Sequence, residues 1–373
     1  MSETAPSPPT HLPARRLDAA RHLLQPRHLR GSFALQRQPS MRNAMLAGAQ
    51  AAVTVAIALP LAYLSPWPHL IGYASLGALV ALFGRFSPER RRNGIVFICA
   101  VCQTLAVLVM STAVWAGLPE SGQLVLLALS CGVFFFVAVT AQVGPPGALI
   151  FVFAVGASMH DVGSFQVVLE RTAAVAVVAT LAWAICAATE ALRHHPTAER
   201  PLPVDPVPPV ADRFVAALRI SAGAGLAVFA CHAIGAPHPA WAAMGAHAVM
   251  QGAHLHINMH RALQRMTGTV LGALIAWAVL SQAPSLWVVV AALVLLQFLT
   301  EVIIGSNYGL GQILVTPMAL LMTHLAAPHI AGAEMAPERV LDTVLGASIG
   351  MVVAVLLSSL EDRHRLARHV LAT

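Results

Sequence analysis

Arginines inside or at the start of long apolar segments are the residues of this sequence best suited to chemistry. Arg219 lies six residues beyond Arg213 in one such segment, and Arg265 and Arg339 stand where two others begin. A guanidinium is planar, keeps its charge and can bind a carboxylate through two hydrogen bonds. Because an arginine within a membrane span is costly unless it faces a cavity or a partner, Arg219 predicts either a carboxylate-binding site or a side chain that reaches back to the headgroups.

Three titratable residues in apolar segments are candidates for proton coupling. Asp342 follows Arg339 by three positions, so the two can form an ion pair on one helix face, either static or opened by a proton. Glu301 lies near the end of another segment. His247 lies inside a third, as either a titrating or a packed neutral group.

Small residues next to Arg265 predict close helix packing. Gly268, Thr269 and Gly272 lie within the next seven positions, and a G-x-x-x-G spacing lets neighbouring backbones approach. Arg265 is then either an anchor at the inner headgroups or a residue that attracts anions at the mouth of a pathway.

Two other segments carry helix-breaking residues at corresponding positions. These are Gly144, Pro145, Pro146 and Gly147 in one segment and Gly309, Gly311 and Pro317 in the other. A broken helix exposes N–H groups suited to an anion, although a proline in a membrane helix can also be a simple kink. Asn307 and Tyr308 stand beside the second break, where they could hydrogen-bond or stack on a substrate.

Several kinds of chemistry are not predicted. The sequence has no lysine and no G-x-x-x-x-G-K-[ST] loop, which excludes an ATP-driven pump within one chain. His254, His256 and His260 lack a nearby fourth ligand for zinc, so we expect no metal and no cofactor. We also expect that the protein is not an enzyme and binds no nucleic acid.

The composition indicates a membrane protein. Of 373 residues, 57% are hydrophobic and 10% are charged, whereas soluble domains carry about 25% charged residues. We predict an all-α polytopic membrane protein with about twelve transmembrane helices, of which those at 68–84, 144–160 and 238–253 are short. The distribution of arginines predicts that both termini are cytoplasmic.

The chain divides into two membrane halves. We predict a basic N-terminal arm at 1–43, a first six-helix half at 44–192, a Pro-rich cytoplasmic linker at 193–212, a second six-helix half at 213–360 and a cytoplasmic tail at 361–373. Residues 144–160 align without gaps on 308–324, and 170–183 align on 338–351. Because each half has an even number of spans, the sequence predicts a parallel repeat, which is a common transporter plan.

The second half resembles the fusaric acid resistance, or aromatic acid exporter, family. The resemblance covers roughly residues 213–358 and rests on several short motifs in the family's order. Their residues are Arg219 and Trp241, then Arg265, Gly268, Thr269 and Gly272, then Asn307, Tyr308, Thr316 and Pro317, and finally Arg339, Asp342, Thr343 and Gly346. The first half keeps Arg171 but has Ala174 where the second has Asp342.

The resemblance implies an exporter of aromatic or other amphipathic carboxylic acids in the bacterial inner membrane, driven by a gradient. We expect substrate binding by Arg219, Arg265, Asn307, Tyr308, Thr316 and Arg339. The alternatives are a passive organic-anion channel, since plant malate channels look like distant relatives, and a membrane scaffold without transport. The expected partners are the bilayer and a small organic anion, with a periplasmic adaptor subunit and a homo-oligomer as further options.

Overall fold

A computed structural model describes residues 35–194, 206–252, 255–326 and 332–359. These residues form twelve α-helices and contain no strand, which confirms the predicted all-α polytopic membrane fold. The helices are α1 (Met41–Leu64), α2 (Ile71–Ala78), α3 (Glu89–Trp115), α4 (Glu120–Thr140), α5 (Leu149–Ala157), α6 (Phe165–Ala188), α7 (Val210–Ala233), α8 (Ala240–Met250), α9 (Leu255–Leu280), α10 (Leu286–Ile304), α11 (Tyr308–Ala326) and α12 (Met335–Leu356).

Nine of these helices are long and apolar enough to cross a membrane, and α2, α5 and α8 are not. The three short helices have 8, 9 and 11 residues, whereas a span needs about 20. α2 continues into a 3-10 helix, Leu79–Leu82, and α5 is preceded by Gly147, which lies in the left-handed region. Every residue of α2 is buried, as are all residues of α8 after Ala240. The short helices are therefore surrounded by protein, where an incomplete span is tolerated.

The same helix pairs pack together in the two halves. In the first half α2 packs on α1 and α6, α3 on α5 and α6, and α4 on α5. In the second half α8 packs on α7 and α12, α9 on α11 and α12, and α10 on α11. Each pair in one list has a counterpart six helices later in the other.

Two of the helix contacts between the halves are also built alike. In one, α1 packs on α10, and a Cβ placed on Gly48 would lie 2.8 Å from the carbonyl oxygen of Phe298. In the other, α7 packs on α4, and a Cβ placed on Gly132 would lie 2.5 Å from the carbonyl oxygen of Ala217. Gly48 and Ala217 occupy the same position, seven residues after the first residue of α1 and of α7.

Several predicted boundaries shift. The helix predicted to begin at Arg265 begins at Leu255, so His256 and His260 are helical and not in a loop. His254, most of the N-terminal arm, residues 195–205 of the linker and the whole C-terminal tail lie outside the described residues.

Candidate functional site

A cluster of buried polar side chains lies between α8, α9, α11 and α12, and we refer to it as the polar centre. Each member is at most 1% exposed. The members are His247, Arg265, Thr269, Gln312, Thr316, Arg339, Asp342 and Thr343. Polar groups so deep in an apolar fold are costly and are retained in membrane proteins chiefly for function.

Arg265 is the best-connected member of the polar centre. Its Nη1 donates to the hydroxyl of Tyr308 at 3.2 Å and to Oε1 of Gln312 at 3.5 Å, both on α11. Its Nε is buried without a hydrogen-bond partner. Arg265 is the eleventh residue of α9 and is 1% exposed, so it lies inside the protein and not at the start of its helix, where the sequence had placed it. A buried guanidinium held only by neutral groups can accept an anion.

The small residues after Arg265 face α11. A Cβ on Gly268 would lie 2.7 Å from the Cβ of Gln312, and a Cβ on Gly272 would lie 2.6 Å from the carbonyl oxygen of Ile313. Pro317 has no N–H to bond that carbonyl, which is four residues earlier in α11. The glycines thus allow α9 to approach α11 closely beside the polar groups.

α11 is not broken, and the predicted helix break at Gly311 and Pro317 is wrong. The helix runs from Tyr308 through both residues to Ala326. Its start is stabilised by Asn307, whose side-chain oxygen accepts from the N–H of Leu310 at 3.1 Å. Gly311 packs against Ile304 at the end of α10, so closely that the Cβ of a larger residue would collide with the Ile304 side chain.

In the first half, the corresponding glycines and prolines lie outside a helix. Gly144 and Gly147 both have positive φ, and the N–H of Gly147 donates to the carbonyl of Gly144 at 2.9 Å. Pro145 and Pro146 lie within this turn, which precedes α5. The two segments therefore differ in structure, and the expected matching pair of broken helices is not formed.

The predicted ion pair between Arg339 and Asp342 is also wrong. Both residues are described, and their side chains form no ion pair within 4.0 Å. The guanidinium of Arg339 lies 5.0 Å from the ring centre of Trp241 on α8. Asp342 lies beside the thiol of Cys231, and neither carboxylate oxygen has another hydrogen-bond partner. Arg339 is close enough to Arg265 for their charges to repel.

His247 lies fully buried on α8, near the charge of Arg265. Neither ring nitrogen has a hydrogen-bond partner, and the ring contacts Phe135 edge to face at 6.4 Å. Thr269 and Thr343 also have hydroxyls without a partner. The polar centre therefore contains several hydrogen-bonding groups that the surrounding described residues do not satisfy.

Glu301 lies apart from the polar centre. Its carboxylate pairs with Arg85, from the loop between α2 and α3, at 2.5 Å, and both side chains are about 95% buried. This ion pair joins the two halves, so Glu301 has a fixed cationic partner, which the sequence did not reveal.

Arg219 is half-buried on α7. The hydrogen bonds of Arg265 and the ring contact of Arg339 do not include it. The structure therefore does not bring Arg219 together with Arg265, Tyr308 and Arg339, although the sequence had made it the first candidate.

The first half has mostly apolar residues where the second has the polar centre. Cys99 occupies the position of Arg265, ten residues after the start of α3 and of α9. In the aligned segments, Gln312, Thr316 and Asp342 are replaced by Ala148, Val152 and Ala174. Gln312 was not among the residues predicted from the sequence, although a glutamine in an apolar segment is itself a signal of function.

The second half matches a described family. Residues 226–353 match the sequence profile of the family described as Fusaric acid resistance protein-like. The Uncharacterized membrane protein YvaC of Bacillus subtilis (strain 168) is 31% identical over 137 residues, which cover 36% of this chain and 22% of that protein. No solved structure matches the chain. The two matches confirm the resemblance that the motifs predicted for a multi-pass membrane protein.

Proposed function

We propose, on the premise that residues 226–353 form a fusaric acid resistance protein-like domain, that this membrane protein transports organic anions. The substrates are aromatic or other amphipathic carboxylates, exported across the bacterial inner membrane with both termini in the cytoplasm. The observation that carries the proposal is Arg265, buried between α9 and α11 with only neutral hydrogen-bond partners.

The charge of the polar centre supports an anionic substrate. It contains two guanidinium groups, those of Arg265 and Arg339, and one carboxylate, that of Asp342. An unpaired buried charge is strongly destabilising. A carboxylate that enters between the arginines offsets their repulsion and accepts hydrogen bonds from them. Arg219, half-buried on α7, belongs to the entry path in this proposal.

The packing of the two halves supports transport by alternating access. The same helix pairs recur in both halves, and two of the helix contacts between the halves are alike. Such an arrangement allows one half to rock against the other around a central site. The apolar residues in the first half favour a substrate site in the second.

Asp342 is the proposed site of proton coupling. It forms no ion pair with an arginine of the described residues, although the charge of Arg339 is near, and its oxygens are buried next to Cys231. A proton on this carboxylate raises the positive charge of the polar centre by one and so strengthens binding of the anion. His247 is the second candidate for coupling, whereas the ion pair with Arg85 gives Glu301 a structural role.

The experiment is flux of radiolabelled carboxylates through proteoliposomes that contain purified protein, with and without an imposed pH gradient. We compare wild type with Arg265→Gln and with the control Arg171→Gln, whose arginine donates to the backbone carbonyls of His160 and Asp161. A charge-assisted hydrogen bond contributes about 1.5–3 kcal/mol, so Arg265→Gln should lower flux at subsaturating substrate by at least about tenfold. Arg171→Gln should change it by less than about twofold.

The outcomes separate the alternatives. Saturable flux that the pH gradient drives uphill supports the exporter. Flux that only runs downhill supports the anion channel, and no flux of any acid supports the scaffold. Unchanged flux in Arg265→Gln contradicts the assignment of the site.

A further inference from the structure

Four residues of the second half form a closed ring of contacts at the start of α8 and α12. His238 pairs with Glu338 at 3.0 Å and stacks on Trp241, with ring centres 4.5 Å apart and an angle of 12°. The guanidinium of Arg339 lies 5.0 Å from the centre of the Trp241 ring. Because Glu338 and Arg339 are neighbours in the chain, the contacts among the four residues form a closed circuit. Arg339 is thereby linked to His238 through the indole.

The first half carries two of these contacts, the His–Glu pair and the arginine over an aromatic ring, at the start of α2 and α6. His69 pairs with Glu170 at 3.3 Å, and the guanidinium of Arg171 lies 5.1 Å from the centre of the Tyr73 ring. Tyr73 and Trp241 are both 5% exposed. This likeness makes the first half an internal control for the second.

Arg171 and Arg339 differ in the other contacts that their guanidinium groups make. Arg171 donates to the carbonyl oxygens of His160 at 3.1 Å and Asp161 at 2.8 Å. These two hydrogen bonds fix its guanidinium independently of the Tyr73 ring. Arg339 is 1% exposed, and its Nε is buried without a hydrogen-bond partner. Asp342 attracts the Arg339 guanidinium without forming an ion pair with it. The indole of Trp241 is therefore the side chain that the guanidinium contacts directly.

The backbones of α8 and α12 keep Trp241 in place relative to Arg339. A Cβ on Gly245 would lie 3.0 Å from the carbonyl oxygen of Thr343, and a Cβ on Gly350 would lie 2.7 Å from the Cα of Ala246. Gly346 makes a closer approach still, to the backbone of Ala242, the residue next to Trp241. An indole carried on so tightly packed a pair of helices has little freedom to move.

We propose that Trp241 is a positioning residue for Arg339 in the anion site, with His238 supporting the indole from the Glu338 side. An aromatic face attracts a guanidinium without neutralising its charge. A carboxylate partner would compete with the substrate for the N–H groups, whereas an indole leaves them available to the substrate. This inference rests on the proposed function, because the anion bound by Arg339 is the transported one.

The first test uses benzoate flux into proteoliposomes. Trp241→Leu should raise the KM for benzoate about tenfold with Vmax within about twofold, since a desolvated cation–π contact of this kind is worth about one decade in affinity. Trp241→Phe retains an aromatic face and should restore most of the affinity. The matched control Tyr73→Leu should leave KM unchanged, because the backbone carbonyls still hold Arg171.

The second test needs no transport. Phenylglyoxal modifies arginine side chains, and mass spectrometry of the labelled protein compares Arg339 with Arg171 in one sample. Trp241→Leu should raise the labelling rate of Arg339 several-fold relative to Arg171, and Trp241→Phe should not. Tyr73→Leu should leave both rates unchanged.

The two tests distinguish the possible failures. If wild-type protein moves no benzoate, the proposed function fails for this acid, and the labelling rates alone decide the role of Trp241. Equal labelling of Arg339 in wild type and Trp241→Leu overturns the positioning role whatever the flux. An equal loss of benzoate affinity in Tyr73→Leu overturns it as well, since the effect would then be structural.

Discussion

The ion pair between Arg85 and Glu301 predicts the largest loss of stability from a single polar substitution. Its two side chains are 5% and 4% exposed, and it joins the two halves of the chain. Glu301→Gln keeps the volume and one oxygen acceptor but leaves the guanidinium buried without a counter-charge. Breaking a buried pair in this way costs about 3–5 kcal/mol. Because the glutamine oxygen can still accept one hydrogen bond, we expect about 3 kcal/mol.

The assay is the free energy of unfolding of detergent-solubilised protein, measured by denaturant titration. The double substitution Arg85→Met with Glu301→Leu removes both charges and should recover most of the loss, because a well-packed apolar pair replaces an ion pair at little cost. The control is Glu120→Gln, which changes an exposed contact between the halves, with His232 at 3.4 Å. Those side chains are 66% and 41% exposed, so the change should stay below about 1 kcal/mol. A loss below about 1 kcal/mol for Glu301→Gln, or a double variant as unstable as the single, would refute the reasoning.

Two further predictions concern packing and pH. Gly268→Ala should destabilise the protein by about 1–3 kcal/mol, because the added Cβ would lie 2.7 Å from the Cβ of Gln312 on α11. The control Gly94→Ala, in open space on α3, should stabilise the protein by up to about 1 kcal/mol. Equal changes in the free energy of unfolding of the two variants would contradict the close packing of α9 on α11. Burial lowers the pKa of His238 below its usual 6.5, although Glu338 opposes the shift. The unfolded chain then binds the proton more readily, so stability should fall as the pH drops below about 6.5. His238→Gln should remove that part of the slope of Tm against pH between pH 5 and 8, and an unchanged slope would count against the assignment.

Two features were predicted correctly from the sequence for clear physical reasons: the fold class, and Arg265 as a residue of the candidate site. Apolar segments of membrane length can only be helices in a bilayer, so the all-α fold followed from hydropathy. Arg265 was identified from its glycine-rich neighbourhood, which does pack against α11. Hydropathy placed Arg265 at a helix end, however, because the preceding turns contain His256, His260 and Arg261. Those polar turns are helical and extend α9 by ten residues.

The remaining features depend on contacts between residues far apart in the chain. The spacing of Arg339 and Asp342 allowed an ion pair on one helix, but the side chain of Arg339 lies on Trp241 of another helix instead. Glu301 was a candidate for proton coupling because no partner lies near it in the sequence. Its partner, Arg85, is in the other half of the chain. Local spacing determines which residues share a helix face, and only tertiary packing determines what that face meets.

The three short helices also constrain how the protein is assembled in a membrane. With 8, 9 and 11 residues, α2, α5 and α8 are too short to insert as independent spans. Their polar ends are satisfied only when neighbouring helices are present. Biogenesis must therefore place the long helices first and fold the short ones into the space between them. Because α8 carries both His247 and Trp241, the proposed anion site would be completed only at this late step, after the long helices have entered the bilayer.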